Sequence, residues 1–215
     1  MPTHAYYESL WEGVPDGLAP SDARLREGFL LDRVSRISGR VDPAVRVLDV
    51  GCGEGHFAAA LKREGAEVVA IDVAAEPLRR ALAHAPELDV RLVEPEGELP
   101  FEDAHFDVVW AGEVIEHVAD TSRWLSELRR VLRSGGALLI STPDHGMLSR
   151  LRLALSRSAF EERFDPRSDH LRFYTRRALV DIYVDFGFED VEVLAAGGFP
   201  GARRVLLASG LRSRF

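Results

Sequence analysis

Short apolar runs alternate with amphipathic segments through the middle of the chain. Runs rich in β-branched and other apolar residues predict five buried strands, at residues 45–50, 68–72, 90–93, 106–110 and 137–141. Between these runs, apolar side chains fall at helical spacing in residues 57–64, in residues 76–85 and in a segment capped by Asp120 or Thr121. Strands and helices that alternate in this way predict a doubly wound α/β sheet with right-handed crossovers.

The carboxyl-terminal part of the chain predicts the rest of the sheet. We expect the pair Gly135-Gly136 to end the third helix before the fifth strand begins. Thr175 is the predicted cap of a further amphipathic helix. A closing β-hairpin is predicted from residues 191–194 and 204–208, which surround a glycine-rich turn.

Two segments lie outside this alternating core. Residues 1–40 join an aromatic stretch to a helical pattern, and residues 143–174 form an insert after the fifth predicted strand. Ligands of open α/β sheets bind beyond the carboxyl ends of the strands. Because both segments can reach that edge, each is a candidate lid over a bound ligand.

Composition and charge narrow the classes of partner. The 215 residues include 27 Lys and Arg against 35 Asp and Glu, which gives a formal net charge of −8. This balance argues against a general duplex-DNA binder, which needs a broad basic face. The single cysteine, Cys52, leaves no disulfide framework and no cysteine-based zinc site. No apolar run approaches the ~20 residues needed to cross a bilayer, so we expect a cytoplasmic protein without a transmembrane segment.

The sharpest local signal is a glycine loop, VLDVGCGEGH, at residues 47–56. Glycines let the backbone turn tightly and approach a ligand closely. A dinucleotide site needs Gly-x-Gly-x-x-Gly, whereas the third glycine here comes one residue early. Asp49 precedes Gly51 by two residues and would repel a pyrophosphate, but it suits a cationic ligand such as S-adenosylmethionine. Asp72 ends the second predicted strand, where a carboxylate can accept both ribose hydroxyls of an adenosine.

With these features the chain resembles the class I S-adenosylmethionine-dependent methyltransferases. The resemblance rests on VLDVGCGEG at 47–55, AID at 70–72, LPF at 99–101 followed by FDVV at 106–109, and VLRSGGAL at 131–138. It implies a mostly parallel, Rossmann-like sheet of seven strands whose last strand is antiparallel. It also implies S-adenosylmethionine as the cofactor. We therefore expect an N-terminal lid and helical segment at 1–40 and a methyltransferase domain at 41–215 that contains the insert.

The resemblance also implies the residues that bind the cofactor. The glycines of the loop would run along its methionine part, and Asp72 would bind its ribose. The Asp that this family usually carries in the adenine-binding loop is missing, so Glu94, Glu96 or Glu98 must replace it. The expected cofactor-binding residues are Asp49, Gly51, Cys52, Gly53, Gly55, Asp72, Val73, Glu96 and Gly112.

A second candidate site follows the fourth predicted strand, in the segment GEVIEHV at 112–118. If this segment begins a helical turn, Glu113, Glu116 and His117 share one face at the ligand edge. Two carboxylates and an imidazole can hold Mg²⁺, Mn²⁺ or a similar cation, with His170 as a further ligand. Alternatively, His117 is a metal-free general base for an acidic hydroxyl or amine. A third interpretation is a helix start whose acids face the macrodipole, with His117 merely packed.

The same segment resembles two subgroups of the family. One comprises the ubiquinone-pathway and other small-molecule O-methyltransferases, which share Glu-x-x-Glu-His-Val and the Ser-Thr-Pro present here at 141–143. The other comprises the metal-dependent RNA 3′-terminal ribose methyltransferases. These carry Thr-Pro-Asn and an Arg-His ahead of the later His, where this chain has Pro143-Asp144 and Arg167-Ser168-Asp169-His170. These departures and the acidic charge argue against a nucleic-acid partner. We expect methyl transfer to a small-molecule hydroxyl, and a protein that binds S-adenosylmethionine without turnover is the remaining alternative.

Overall fold

Helices and strands alternate through the centre of the chain, as the apolar pattern predicts. The computed structural model describes residues 4–38, 44–95, 97–145, 147–165, 169–197 and 204–213. Its strands are β1 (Arg46–Val50), β2 (Glu67–Asp72), β3 (Asp89–Leu92), β4 (Phe106–Gly112), β5 (Leu132–Asp144), β6 (Phe188–Gly197) and β7 (Arg204–Arg212). Its helices are α1 (His4–Trp11), α2 (Ala23–Ser38), α3 (His56–Arg63), α4 (Ala75–His84), α5 (Thr121–Val131), α6 (Met147–Leu155), α7 (Arg157–Arg163) and α8 (Arg176–Asp185).

The seven strands form one twisted sheet in the order β3-β2-β1-β4-β5-β7-β6. The pairs among β1 to β5 are parallel, and β7 runs antiparallel to both β5 and β6. The predicted fold class is therefore confirmed. The strand order reverses between β1 and β4, which opens a crevice at the carboxyl ends of these two strands.

Apolar side chains cover both faces of the sheet. On one face, Leu48 and Val109 pack with buried residues of α5 and α8. On the other face, Val47 and Val108 pack with α2 and α3. Alternate residues of each strand thus pack against the helices on opposite faces of the sheet, as expected for a parallel sheet with helices on both sides.

The pair Gly135-Gly136 lies inside β5 and does not end α5, so this prediction is wrong. Helix α5 ends at Val131, because Leu132 already has extended backbone angles. Gly135 has a φ of +73°, and a Cβ on Gly136 would lie 2.9 Å from the carbonyl oxygen of Asp107. The two glycines therefore allow a tight, irregular start to β5 against β4.

Strands β3, β6 and β7 also differ from the predicted bounds. Strand β3 begins one residue earlier than the pattern indicated. The hairpin strands β6 and β7 are several residues longer than predicted, because Tyr183 and Phe188 extend the core beneath them. The turn between these strands lies outside the described residues.

The flanking segments are helical. Residues 4–38 form α1 and α2, and the part of the insert that the structure describes forms α6 and α7. The boundary between the segments 1–40 and 41–215 stays a prediction. None of the helices in the described ranges combines the length and the apolar character that a membrane crossing requires.

Candidate active site

A cleft of about 650 Å³ opens at the carboxyl ends of the central strands. Its wall includes Gly51 from the end of β1, Asp72 and Val73 from the end of β2, and His117 from the turn after β4. Glu94, which follows β3, also lines it. Several residues predicted for cofactor binding and one predicted for catalysis thus share one cavity. The predicted residue Glu96 lies outside the described residues.

The glycine loop between β1 and α3 needs glycine at each of its three positions. Gly51, Gly53 and Gly55 have φ values of +67°, +52° and +75°, which favour glycine. A Cβ on Gly51 would collide with the side chain of Val114. The loop is held to β2 because the backbone N–H groups of Gly51 and Cys52 both donate to the carbonyl oxygen of Ile71, at 2.8 and 3.0 Å.

Two buried carboxylates flank this loop. Asp49 is 1% exposed, and within the described part of the chain its Oδ2 has no hydrogen-bond partner. Burial, and then the charge of Asp72, raise the pKa of Asp49 to about 7. Asp72 accepts hydrogen bonds from the backbone N–H groups of Gly53 (2.9 Å) and Ala74 (3.0 Å). Burial raises the pKa of Asp72, and these backbone N–H groups partly oppose that shift.

Helix α1 lies across the mouth of the cleft. Tyr7 lines the cavity, and a Cβ on Gly53 would lie 3.1 Å from the Trp11 ring. The carboxylate of Glu8 accepts from the backbone N–H groups of Ala75 (2.5 Å) and Glu76 (3.2 Å), at the start of α4. The aromatic stretch near the amino terminus therefore covers the glycine loop, where a lid was predicted.

His4 joins the same helix to the far side of the cleft. Its Nδ1 donates to the carbonyl oxygen of Val73 at 2.7 Å, and its Nε2 lies 3.0 Å from Oε2 of Glu94. The backbone hydrogen bond to Val73 and the contact with Glu94 raise the pKa of His4. Because Val73 and Glu94 both line the cleft, His4 connects α1 to two of its walls.

The segment after β4 is a tight turn, not a helix, so the predicted shared helical face is wrong. Glu113 has a φ of +61°, and the backbone N–H of His117 donates to the carbonyl oxygen of Val114 at 2.9 Å. Glu113 accepts from the Ser141 hydroxyl at 3.2 Å. The left-handed backbone at Glu113 breaks the helical repeat on which the prediction relied.

The turn nevertheless assembles part of the predicted set. One ligand atom each from Glu116, His117 and His170 lies within 4.8 Å of the other two, and this group does not include Glu113. The rings of His117 and His170 meet edge to face, with centroids 4.8 Å apart. The backbone N–H groups of Leu171 and Arg172 donate to the carbonyl oxygen of Glu116, at 2.8 and 3.2 Å, which fixes the late segment against the turn.

The electrostatics of this group favour a cation or a proton. Burial, and then the charge of Glu113, raise the pKa of Glu116. Glu116 accepts from the Thr142 hydroxyl at 3.0 Å through Oε2, while its buried Oε1 has no hydrogen-bond partner among the described residues. Nδ1 of His117 donates to the carbonyl oxygen of Asp169 at 2.9 Å, so Nε2 of the neutral ring keeps its lone pair.

Arg26 is the functional candidate that the sequence analysis missed. It is 2% exposed, and its guanidinium lies 5.0 Å from the centre of the Phe57 ring. Burial lowers the pKa of Arg26, and the charges of Glu113, Glu116 and Asp49 oppose that shift. The signal was present, since Arg26 precedes Leu30 by one helical repeat on the buried stripe of α2. The Nε of Arg26 donates to the carbonyl oxygen of Ser21 at 2.9 Å, so this buried cation has a hydrogen-bond partner as well as acids near it.

The comparisons with known proteins agree with this fold. A family model described as "Methyltransferase domain" matches residues 23–193. The chain therefore belongs to the methyltransferase domain family, and the predicted family is confirmed. Among solved structures, a putative methyltransferase from Bacillus halodurans C-125 is 18% identical with a TM-score of 0.65, covering 85% of this chain and 98% of its own. The cyclase SpnF is also 18% identical, with a TM-score of 0.69 over 99% of this chain and 97% of its own.

Curated relatives are more similar in sequence. A ubiquinone biosynthesis O-methyltransferase from Xylella fastidiosa (strain 9a5c) is 36% identical over 143 residues, or 64% of this chain and 58% of that protein. The protein of the same name from Azorhizobium caulinodans is 34% identical over 171 residues, or 74% of this chain and 67% of that protein. The match thus spans little more than half the length of the Xylella relative.

Proposed function

We propose that the chain is an S-adenosylmethionine-dependent methyltransferase that acts on a hydroxyl group of a small molecule. One observation carries the proposal: the glycine loop with its two buried carboxylates shares a cleft with His117, whose Nε2 keeps its lone pair. Such a cleft joins a cofactor site to a proton acceptor. The names of the curated relatives support the hydroxyl as acceptor.

The charges around the loop suit the methionine end of this cofactor. The unpartnered Oδ2 of Asp49 would face the ammonium group, and Arg26 would face the carboxylate. Gly51, Cys52, Gly53, Gly55 and Gly112 would lie along the same part. When bound, S-adenosylmethionine supplies a methyl group carried on a sulfonium.

The other end of the cleft suits an adenosine. Asp72 would accept from the ribose hydroxyls, since its backbone partners use one lone pair on each oxygen. Val73 and Glu94 line the same wall, and Glu94 is one of the three acids that could replace the missing adenine-loop Asp. The assignment of Glu96 to this position stays a prediction.

The enzyme's part in the reaction is alignment and removal of a proton. Methyl transfer is an in-line displacement, so the acceptor oxygen must lie ~3 Å from the methyl carbon. His117 would take the hydroxyl proton at Nε2, because the carbonyl of Asp169 holds the proton of Nδ1. Glu113 and Glu116 would position this ring and the acceptor. Helix α1 and the insert 143–174 would exclude water as lids.

The same residues also fit a divalent cation. Glu116 Oε1 and His117 Nε2 are available donors, and His170 lies within the same group. An ion held by these three residues, with Glu113 near them, would lower the pKa of a bound substrate hydroxyl. A metal-assisted acceptor site and a free His117 base therefore remain two versions of the proposed function.

The cofactor assignment is tested by calorimetry. S-adenosylmethionine and its demethylated product should both bind, and NAD should not. Asp72→Asn should weaken binding by about 1.5–3 kcal/mol, the range for hydrogen bonds that involve a charged group. Glu67→Gln, at the exposed opposite end of β2, is the matched control and should leave affinity unchanged. Tight binding of NAD without a response to S-adenosylmethionine would refute the assignment.

The acceptor chemistry is tested with labelled cofactor against phenols, amino sugars and short RNA. Methylation of a phenol supports the proposal, whereas methylation of RNA alone supports the ribose methyltransferase alternative. Cofactor binding without turnover of any acceptor would favour a non-catalytic binding protein. His117→Ala should lower the rate by about 10²–10⁴, while exposed His84→Ala should not. Loss of turnover in chelator, restored by Mg²⁺ or Mn²⁺, would select the metal version.

A further inference from the structure

Trp110, in the middle of the sheet, holds a buried hydrogen-bond donor that the proposed function does not use. Its side chain is fully buried, and across the ranges that the structure describes its indole Nε1 has no hydrogen-bond partner. Buried polar atoms are nearly always paired with protein or with ordered water. The indole N–H therefore indicates an occupant at this position.

The matching acceptor lies on the neighbouring strand. Asp49 in β1 is the register partner of Trp110 in β4, just as Val47 is the partner of Val108. Val47, Val108 and Trp110 all pack on the face of the sheet that α2 and α3 cover. Because side chains alternate along a strand, Asp49 shares this face with Trp110. Its Oδ2, also buried and unpartnered within the described residues, therefore belongs to the residue that neighbours Trp110 across the two strands.

The residues around Trp110 close this position to solvent. A Cβ on Gly112 would lie 2.8 Å from Cζ2 and 3.2 Å from Nε1 of Trp110, so the indole edge lies against the carboxyl end of β4. The Phe57 ring packs edge to face on the indole, with centroids 5.4 Å apart. Arg26 in turn covers Phe57. A buried donor and a buried acceptor therefore lie on paired residues of β1 and β4, on one face of the sheet.

We propose that one buried water molecule bridges Nε1 of Trp110 to Oδ2 of Asp49, and that Trp110 is thereby a positioning residue for cofactor binding. The water accepts from the indole N–H and donates to the carboxylate, which supplies the minimum of two polar partners that a buried water needs. The bridge holds Asp49 in the orientation that faces the glycine loop. The effect on the cofactor rests on the proposed function, whereas the water itself does not.

The water is tested first in the free protein by NMR. The chain has three tryptophans, so a ¹⁵N-labelled sample gives three indole N–H signals, and Trp110→Phe assigns the relevant one. The Trp110 signal should exchange slowly and should show a cross-peak to a long-lived water. A protected Trp110 signal without any cross-peak to water would overturn the proposal.

The positioning role is tested with Trp110→Phe, which keeps an aromatic ring against Phe57 but removes the N–H. We expect the affinity for the demethylated cofactor product to fall about tenfold and KM for S-adenosylmethionine to rise, with kcat nearly unchanged. Tyr183→Phe is the control, because it deletes another fully buried donor, whose oxygen lies 3.3 Å from the Leu138 carbonyl oxygen. It should lower the melting temperature and leave affinity unchanged.

A double-mutant cycle separates the bridge from general damage to the core. In an Asp49→Ala background, Trp110→Phe should cause little further loss of affinity, because the bridge is already gone. Fully additive losses would refute the coupling, as would wild-type affinity in Trp110→Phe. If the wild-type chain binds neither form of the cofactor, the proposed function fails, and the NMR measurement still decides whether the water is present.

Discussion

Removal of the Glu8 carboxylate should loosen the cover over the cleft. Helix α4 begins after Ala74, which has no side chain that could cap the first turn. Glu8 of α1 provides the cap instead, by accepting from the backbone N–H groups of Ala75 and Glu76. Its negative charge also lies at the positive end of the α4 dipole. Glu8→Ala removes both contributions at once.

The structure sets the expected size of this effect. Loss of an N-capping side chain costs about 0.5–2 kcal/mol, which corresponds to a roughly 2- to 30-fold change in an equilibrium constant. Because Glu8 joins α1 to α4, its loss should mainly lower the free energy that holds α1 against α4, and should change the free energy of global unfolding much less. The open population of α1 should therefore rise by this factor. Glu8→Gln keeps a hydrogen-bond acceptor without the charge, so its open population of α1 should lie between those of the wild type and Glu8→Ala.

Limited proteolysis with chymotrypsin measures this population, because cleavage after Tyr6 or Tyr7 requires α1 to leave its seat. When opening is fast compared with cleavage, the rate follows the open population. Glu8→Ala should be cut faster by the factor above, and the demethylated cofactor product should slow the cleavage of both proteins. Glu12→Ala removes the same charge from an exposed position of the same segment and is the control. Equal cleavage rates for Glu8→Ala and Glu12→Ala would refute the idea that Glu8 holds α1 against α4.

The glycine loop and two buried ionisable residues give three further predictions. Gly51→Ala should destabilise the chain and abolish cofactor binding, because Gly51 has a positive φ and a Cβ there would collide with Val114. The control is Gly28→Ala on α2, where a Cβ would meet open space. It should stabilise the chain by about 0.5–1 kcal/mol in urea unfolding. Burial raises the pKa of Glu116 above its ordinary value of 4.5, so between these two pH values the folded chain keeps the carboxyl proton of Glu116 while the unfolded chain loses it. The free energy of unfolding should therefore fall as pH rises from 4.5 toward the raised pKa. Glu116→Gln should flatten this fall in urea unfolding followed across pH. Arg26→Met should destabilise the chain in urea unfolding, and the loss should grow as pH rises, because more of the nearby carboxylates are then ionised and lose the charge that opposes theirs.

The fold and the geometry of the glycine loop could be predicted because their signals are local. The glycine loop and Asp72 lie at the ends of neighbouring strands, so the strand pattern alone brings them to one edge of the sheet. The positive φ values of the three glycines have a direct sequence signature. The bounds of several elements differed from the prediction, and β5 begins earlier than predicted because it continues through a glycine pair that usually ends a helix.

The other side of the cleft depends on contacts that no local pattern encodes. The spacing of Glu113, Glu116 and His117 predicts that they share one helical face. The left-handed backbone at Glu113 instead separates it from the other two. His170 joins Glu116 and His117 because the late segment hydrogen-bonds to the turn, which is a tertiary event. The position of Arg26 on the apolar stripe of α2 predicts that this side chain is buried, but it does not predict which groups surround the guanidinium.

The charge balance of the cleft explains why its amino-terminal helices belong to the site. Asp49 lies near the end of β1, and Glu113 and Glu116 follow β4. Besides burial, the charge of Asp72 raises the pKa of Asp49, and the charge of Glu113 raises the pKa of Glu116. Arg26 of α2 is the buried cation that opposes all three, and α1 closes over the same edge. A cleft with this excess of acid repels a pyrophosphate and favours a ligand that carries positive charge. The strands and the glycine loop therefore shape the cavity, while α1 and α2 supply the cover and the cation that let its acids remain buried.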